Sequence, residues 1–327
     1  MKTLIILDTN KIRSTNLGGA SYGSFEFGSE FNSLSSYIKD RGLSEFIKIA
    51  IPNVALQELL QQKVEQYSED IQAISGMKSR LSELPGVDFS RLSLPGTGFD
   101  CTEHLKPRMQ DFVQSSELAV IDIEEEKSGH ILKEVLKRAI ERRPPFKKGK
   151  KSSDVGFKDV MIWESILHYG SYKDYDKVIL FTGDSDFDEK CKLEFESKVK
   201  KEIVITPSMD FLRVTIDDDY ASLIQSKEWR DFVKTDYFKS YFEAEMSKLE
   251  YVTINGMECK VIPAKVVNYL DEVEEPEGGE ETEFSIVLLS ALKGTVEIDG
   301  GEREVDIKAR TFLDDAKGIQ YTEFGVE

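Results

Sequence analysis

Five acidic residues in the chain could together perform metal-dependent chemistry on a phosphate group. Ligand sets made of oxygen atoms alone, without histidine or cysteine, suit Mg²⁺ or Mn²⁺. Such an ion can activate a water molecule as a nucleophile and stabilise the charge on a scissile phosphate. Carboxylates within a few ångströms of one another repel strongly at low dielectric, so a cation is needed to neutralise them. The five candidates are Asp8, Glu58, Asp159, Asp184 and Asp186.

Three of these acids follow apolar runs that are predicted to be strands. Asp8 ends the run TLIIL at residues 3–7, and Asp184 and Asp186 follow KVILFT at residues 177–182. Short, fully apolar runs rich in β-branched residues are typical of buried parallel strands. Because ligands of parallel α/β sheets bind at the carboxyl ends of the strands, we expect these three acids to lie at one sheet edge.

The other two acids lie near the starts of predicted helices. Glu58 lies one turn into a helix predicted from Val54, and Asp159 opens a helix predicted from Phe157. Helices that follow parallel strands begin at the same sheet edge, so these acids should join the other three. Each of the five acids, taken singly, could be only a helix cap or a turn former. Capping at a strand end does not explain Glu58.

A basic segment, residues 137–158, runs directly into Asp159, the third of these acids. It contains nine Lys and Arg but only two Asp and Glu, which gives a local charge of +7 in a chain of net charge −18. A polyanion responds to such a local potential rather than to the mean charge. The alternative is a solvated, mobile charge run. The residues predicted to hold a nucleic-acid backbone are Arg143, Lys147, Lys148, Lys150, Lys151 and Lys158.

The alternation of strands and helices over the first 215 residues predicts a parallel sheet covered by helices on both faces. Residues 76–117 are expected to form an irregular or partly helical insertion, and residues 142–158 a basic loop. Strands are predicted at 3–7, 46–51, 118–123, 177–182 and 203–206, and core-facing helical residues are predicted at Ile131, Val135, Leu136, Ile140, Val160, Trp163, Ile166 and Leu167.

The last third of the chain has a different pattern. Residues 221–249 read as a helical connector, and residues 250–327 as a smaller β-rich acidic domain, with apolar–polar alternation at 250–267 and 284–310 that is typical of antiparallel strands. The stretch 271–283 has eight acids in thirteen positions and is expected to be an exposed loop or hairpin tip.

Composition excludes several classes of protein. A length of 327 residues suggests roughly two domains, and a net charge of −18 argues against a protein that coats nucleic acid. Three cysteines without a CxxC pair and three scattered histidines argue against a disulfide framework or a zinc site, and favour a reducing cytosol. The first apolar run is too short for a signal peptide, and no run could span a bilayer, so a cytoplasmic protein without membrane contact is expected.

Four segments, in this order, resemble the PIN-domain nuclease superfamily: LIILDTN at 4–10, PNVALQELL at 52–60, GFKDVMIWESIL at 156–167 and ILFTGDSDF at 179–187. The resemblance covers about residues 1–215, and the loop PPFKKGKK makes it closest to bacterial PIN-like proteins of the DUF4935 type. It implies a three-layer α/β/α fold with a central parallel sheet and a metal-dependent nuclease, most often acting on RNA. The family's acids fall on Asp8, Glu58, Asp159, Asp184 and the more variable Asp186, with Thr9 and Asn10 supporting the first turn.

These observations together predict a cytoplasmic endoribonuclease that uses Mg²⁺ or Mn²⁺ and leaves a 5′-phosphate and a 3′-hydroxyl. Asp8, Asp159 and Asp184 would hold the first ion, while Glu58 and Asp186 would complete the site or orient the attacking water. Two alternatives stay open. The substrate could be single-stranded or flap DNA, since a phosphate site does not by itself read the 2′-hydroxyl. The chain could also be a regulatory or binding protein with an idle site. Assembly into a homo-oligomer and binding of a protein partner through the C-terminal domain also stay open.

Overall fold

A computed structural model gives the fold, and it divides the chain into two units, Met1–Asp219 and Tyr220–Glu327. Four lysines predicted to contact substrate, Lys147, Lys148, Lys150 and Lys151, lie outside the described residues. The structure describes residues 1–13, 21–82, 84, 89, 94, 98–146, 156–232, 234–254, 257–262, 272–274, 286–298, 300–313 and 318–326.

The first unit contains a sheet of five parallel strands in the order β3-β2-β1-β4-β5. The central strand β1 has the sequence TLIIL and is buried along its whole length, because helices cover both faces of the sheet. The predicted three-layer α/β/α fold is thereby confirmed. The strands are β1 (Thr3–Leu7), β2 (Ile47–Pro52), β3 (Ala119–Ile121), β4 (Lys177–Phe181) and β5 (Ile203–Thr206).

Eight helices flank this sheet in the described part of the first unit. The helix that carries Asp159 is exposed in its first turn and buried from Ile162 to Leu167, and it contacts the third, fifth and seventh helices. The helices are α1 (Thr9–Ile12), α2 (Ser29–Asp40), α3 (Asn53–Leu81), α4 (Cys101–Ser115), α5 (Glu125–Glu141), α6 (Phe157–Leu167), α7 (Glu189–Val199) and α8 (Met209–Asp219).

The predicted insertion at 76–117 is largely helical where it is described. Helix α3 continues to Leu81, and α4 packs against it. Helix α4 begins where the side chain of Asp100 accepts hydrogen bonds from the backbone N–H groups of Thr102 and Glu103, a standard N-cap.

Burial confirms the predicted core of α6 but only half of that predicted for α5. Ile131 and Val135 are buried against α6, whereas the exposed fractions of Leu136 and Ile140 are 55% and 83%. The prediction that Leu136 and Ile140 face the core was wrong. The apolar residues of α5 extend further around the helix than the face that packs against α6. The core residues of α6 that the sequence predicted are Val160, Trp163, Ile166 and Leu167.

The second unit contains an antiparallel sheet in the order β11-β10-β9-β7-β6, with β8 paired to β9, so the predicted β-rich C-terminal part is confirmed. Phe238 and Phe242 of its second helix pack on this sheet. The elements are α9 (Ala221–Phe232), α10 (Asp236–Ser247), β6 (Tyr251–Ile254), β7 (Met257–Ile262), β8 (Glu272–Glu274), β9 (Ile286–Ile298), β10 (Gly301–Leu313) and β11 (Ile319–Val326).

Two features of this unit differ from the sequence-based prediction. Residues Glu272–Glu274 form β8, although the sequence predicted an exposed acidic loop or hairpin tip over residues 271–283. The rest of residues 271–283 lies outside the described residues. Strand β11 was not predicted. Both strands are held by backbone pairing with a neighbour, which local hydrophobic alternation does not reveal.

Candidate metal centre

The candidate site lies where the strand order changes direction along the sheet. From β1 the chain passes to β2 on one side, whereas β4 pairs with β1 on the other side. The backbone N–H of Asp8, which follows β1, donates to the carbonyl of Phe181, the last residue of β4, at 3.2 Å. The loops after these two strands are therefore adjacent, as expected at the switch point of a parallel α/β sheet.

Asp8 is buried between these two loops, with 3% of its surface exposed. Its Oδ2 accepts hydrogen bonds from the Thr182 hydroxyl at 2.7 Å and the Asn10 amide at 2.6 Å, and its Oδ1 caps α1 by accepting from the Thr9 N–H at 2.7 Å. Burial raises the pKa of Asp8, the hydrogen bonds from Thr182 and Thr9 oppose that rise, and the negative charges of Asp184 and Glu58 add to it.

The turn after β4 is built on the same hydrogen-bond network. The Thr182 hydroxyl accepts from the N–H of Asp184 at 3.0 Å, and the side chain of Asp184 accepts from the N–H of Asp186 at 2.9 Å. The N–H of Gly183 donates to Asn10 Oδ1 at 2.9 Å. These bonds tie the turn that carries Asp184 and Asp186 to the loop after β1.

Three carboxylates lie together at this turn. Asp159, Asp184 and Asp186 each offer one oxygen atom within 4.8 Å of the others, and all three side chains are partly buried. Gly156 precedes α6 with a φ of +83°, a conformation that favours glycine, and it leads the chain into the first turn of α6, where Asp159 lies.

This donor set fits a hard divalent cation. Oxygens bound about 2.1 Å from one octahedral Mg²⁺ lie about 3.0 Å apart when adjacent and about 4.2 Å apart when opposite, so the three side chains must move closer together to share one ion. All the donors are carboxylate oxygens, which suit Mg²⁺ or Mn²⁺ better than thiolate- or imidazole-binding metals.

Glu58 lies in the second turn of α3 and is connected to the other acids through its neighbours. Its Oε2 accepts from the Thr9 hydroxyl at 2.8 Å, and its Oε1 lies 3.1 Å from Nζ of Lys158. Lys158, predicted to contact substrate, is therefore paired with Glu58 and precedes Asp159 in the chain. Its side chain is 48% exposed.

Arg143, also predicted to contact substrate, is engaged with acidic side chains of its own surroundings. Its Nε lies 2.7 Å from Glu141, and its terminal nitrogens lie 3.9 Å from Glu194 and 4.0 Å from Glu134. It is thus placed among acidic side chains of α5 and α7 in the structure.

Lys11 is a buried cation at this sheet edge that the sequence analysis did not single out. Its Nζ donates to Glu30 at 2.8 Å and to the carbonyl of Pro207 at 3.0 Å, and it lies 4.3 Å from the ring centroid of Phe181. It connects the helix after β1 with α2, with the last residue of β4 and with the segment after β5. Nothing in the spacing of the sequence marks a lysine at this position for such a role.

A cavity of about 430 Å³ adjoins the turn after β4. It extends from Asp184 to β5, and Phe187, Lys192 and Pro207 contribute to its lining. Its position beside Asp184 leaves space for part of a substrate next to the site.

Residues 5–187 match a protein family described as PIN domain. This is more than half of the chain and includes all five acidic candidates. No curated protein and no solved structure matches the chain significantly. Within the part of the chain that the structure describes, no helix is both long and apolar enough to cross a membrane.

Proposed function

The chain belongs to the PIN domain family, and we propose that it is an endoribonuclease dependent on Mg²⁺ or Mn²⁺. The observation that carries this proposal is the group formed by Asp159, Asp184 and Asp186, whose oxygens come within 4.8 Å of one another from two separate chain segments. A closer relationship to DUF4935-type proteins is part of the same proposal and rests on the basic loop alone.

Asp159, Asp184 and Asp186 would hold the ion, with Asp8 and Glu58 beside them. A divalent cation bound there supplies a Lewis acid that lowers the pKa of a water molecule and offsets charge on the scissile phosphate. The sequence-based assignment had Asp8, Asp159 and Asp184 hold the ion. In the assignment proposed here, Asp186 takes the place of Asp8 among the residues that hold it. Asp8 would act mainly by fixing Thr182 and Asn10, which hold the turn in place.

Glu58 and Lys158 would act on the substrate side of the site. Glu58 is oriented by the hydroxyl of Thr9 and can accept a proton from a water molecule. Lys158 neutralises Glu58 in the structure, and a phosphate that enters the site offers it a second anionic partner. The remaining lysines of the basic segment would attract the nucleic-acid backbone from further away.

The choice of RNA over DNA rests on the family resemblance. A site that reads phosphate geometry cleaves either polymer, and discrimination requires a contact to the 2′-hydroxyl. DNA, single-stranded or flap-like, is therefore the second candidate substrate. The cytoplasmic location proposed for the enzyme rests on its cysteines, which are all free and buried.

The decisive experiment measures cleavage of end-labelled single-stranded RNA and of DNA of matched sequence, with Mg²⁺, Mn²⁺ or EDTA. We expect metal-dependent cleavage of RNA that falls at least about 100-fold in Asp184→Asn, as for the loss of a principal electrostatic group. Asp174→Asn is the matched control, since Asp174 is exposed in a 3₁₀ turn of the same unit. It should cleave like the wild type.

Mn²⁺ binding to the same proteins, measured by calorimetry, separates the possible failures. Cleavage by Asp184→Asn at the wild-type rate contradicts the site. Binding of Mn²⁺ without cleavage of either polymer favours the alternative of a regulatory protein with an idle site. An absence of Mn²⁺ binding contradicts the metal centre itself.

A further inference from the structure

A second cavity, of about 480 Å³, lies where the end of α5 meets the first two turns of α7. We call it the α5–α7 cavity. Its lining has a formal charge of +2, in a chain whose net charge is −18, because it includes four basic residues and only two acidic ones. The basic residues are Arg138, Arg142, Arg143 and Lys190, and the acidic ones are Glu141 and Glu194.

The two acids of this cavity are already close to two of its cations. Glu194 accepts a hydrogen bond from Arg138 at 2.8 Å, and a carboxylate oxygen of Glu141 lies 2.7 Å from Nε of Arg143. The exposed side chains of Arg142 and Lys190 have no partner within the described part of the chain. The excess positive charge therefore lies on these two residues, where it can attract an anion.

The guanidinium of Arg143 is held by charge rather than by hydrogen bonds. Its Nε and Nη2 atoms make no hydrogen bond to any described residue, because the nearby oxygen of Glu141 is out of line with the Nε–H bond. Such a guanidinium can turn toward a new ligand. Its two parallel N–H groups match two oxygens of one phosphate group.

The α5–α7 cavity lies near the candidate metal centre. Cys191 contributes to its lining, and Sγ of Cys191 is 3.9 Å from the backbone carbonyl oxygen of Asp186. Lys190 follows Asp186 by four residues, so the Cα atoms of the two residues lie at most about 15 Å apart. A strand of a few nucleotides spans this distance. A strand with one phosphate at the metal centre can therefore bring another to the cavity.

We propose that the α5–α7 cavity binds a phosphate group of the nucleic-acid strand outside the metal centre. Arg142 and Lys190 supply the attracting charge, and Arg143 supplies paired donors for two phosphate oxygens. The identification of the strand rests on the proposed nuclease function, but the test measures binding alone. A contact to phosphate carries no sequence information, so the cavity should serve RNA and DNA alike.

The first test measures the binding of a labelled single-stranded RNA by fluorescence anisotropy, in EDTA and over a range of salt concentrations. We expect Arg142→Ala/Lys190→Ala to bind at least about tenfold more weakly than the wild type, as for the loss of a charge-assisted hydrogen bond. The slope of log affinity against log salt should become shallower by about 0.7, the value for one phosphate contact on a single strand. DNA of matched sequence should show the same changes.

The double variant Lys39→Ala/Lys173→Ala is the matched control. Both lysines are exposed, and they lie near the starts of β2 and β4, at the sheet edge opposite the metal centre. This variant loses the same charge as Arg142→Ala/Lys190→Ala, so it measures the effect of overall charge alone. We expect nearly wild-type RNA affinity and salt slope. Both double variants should bind Mn²⁺ like the wild type, which checks that the metal centre is intact.

The second test replaces the RNA with AMP in the same titration and distinguishes a strand from a free mononucleotide. We expect AMP to bind far more weakly than the RNA, because a strand also makes contacts outside the cavity. If Arg142→Ala/Lys190→Ala lost affinity for AMP but kept wild-type affinity for RNA, the cavity would belong to a free mononucleotide and the proposal would be overturned.

Three results of the first test would also overturn the proposal. These are a wild type that binds neither RNA nor DNA, an Arg142→Ala/Lys190→Ala variant that binds RNA like the wild type, and an equal loss of affinity in the control variant. Failure of the nuclease proposal gives a different result. A chain that cleaves neither polymer, but whose RNA binding depends on Arg142 and Lys190, would still support the assignment of the cavity.

Discussion

At the scale of single residues, Asp8 connects the two loops that form the candidate metal centre. Its carboxylate accepts from Thr182 and Asn10, and Thr182 in turn supports the backbone of Asp184. A buried carboxylate with neighbours of like charge is costly to ionise, and this cost is reflected in the raised pKa of Asp8. The site therefore holds negative charge that a bound cation would relieve.

The raised pKa of Asp8 predicts how stability depends on pH and metal. The folded state holds this proton more tightly than the unfolded state, so without metal the contribution of Asp8 to stability is lost as pH rises through its folded pKa. A divalent cation favours the ionised form. The gain in thermal unfolding midpoint on replacing EDTA with Mg²⁺ should therefore be larger at about pH 8 than at about pH 5.

Thermal unfolding of the Asp8→Asn variant provides the control for this prediction. Mg²⁺ can still bind the three aspartates of this variant. Because the Asp8 carboxylate is missing, the gain in unfolding midpoint on adding Mg²⁺ should differ less between the two pH values than it does in the wild type. An equal Mg²⁺-induced shift at both pH values in the wild type would show that Asp8 does not titrate with the metal site.

At the scale of elements, a buried ion-pair network joins α5, α6 and α7. Arg138 of α5 is 1% exposed and donates to Glu164 of α6 at 2.7 Å and to Glu194 of α7 at 2.8 Å. The indole N–H of Trp163 donates to Glu194 at 3.0 Å. This network orients α6, which carries Asp159, relative to α7, which follows the turn with Asp184.

The network predicts a loss of stability at acidic pH. Burial alone would raise the pKa of Glu194, but the hydrogen bonds from Trp163 and Arg138 outweigh it and hold the pKa below its ordinary value. The ionised Glu194 therefore contributes to the free energy of unfolding when the pH is above the pKa that this group has in the unfolded chain. The contribution is lost as the pH falls through the lower pKa of Glu194 in the folded protein. We expect Glu194→Gln to lower the free energy of unfolding by about 1.5–3 kcal/mol at neutral pH.

Denaturant unfolding at several pH values measures this effect. The difference between the wild type and Glu194→Gln should narrow as the pH falls below about 4. Glu196→Gln on the same helix is the control, because Glu196 only approaches Lys192 at 4.0 Å in a partly exposed pair. Its effect on the free energy of unfolding should stay within about 0.5 kcal/mol. A constant difference across pH would contradict the role given to the Glu194 charge.

At the scale of the whole molecule, each unit contains its own core. The core of the second unit draws on residues from Phe238 to Leu313, so helix α10 packs with the C-terminal sheet. The five acids lie in the first unit. A cut between the two units therefore separates the candidate site from the C-terminal unit without opening this C-terminal core.

We expect residues 1–219, expressed alone, to unfold cooperatively and to keep metal-dependent cleavage. A cleavage rate above that of the full chain would indicate that the second unit inhibits the site. An equal rate would indicate that the second unit has no effect on cleavage. The control is the same fragment with Asp184→Asn, which should be inactive. A fragment that fails to fold would show that the second unit supports the first.

The sequence by itself determined the features that depend on short-range pattern. Apolar runs such as TLIIL and KVILFT predict strands because a buried strand needs apolar residues on both faces. Acids placed after strands and at helix starts predict a site at one sheet edge because parallel strands end there together. The parallel sheet and the change to an antiparallel C-terminal part were both predictable in this way.

Only the tertiary structure decided which groups meet. The strand order sets β4 beside β1, and that adjacency brings the turn with Asp184 and Asp186 against the loop with Asp8. The packing of α6 against α7 then adds Asp159 to the two aspartates of this turn. Arg138 belongs to a basic segment whose charge is typical of an exposed surface. It is nevertheless buried, because Glu164 of α6 and Glu194 of α7 neutralise its charge. Burial and pairing depend on elements distant in the chain, which a local periodicity does not encode.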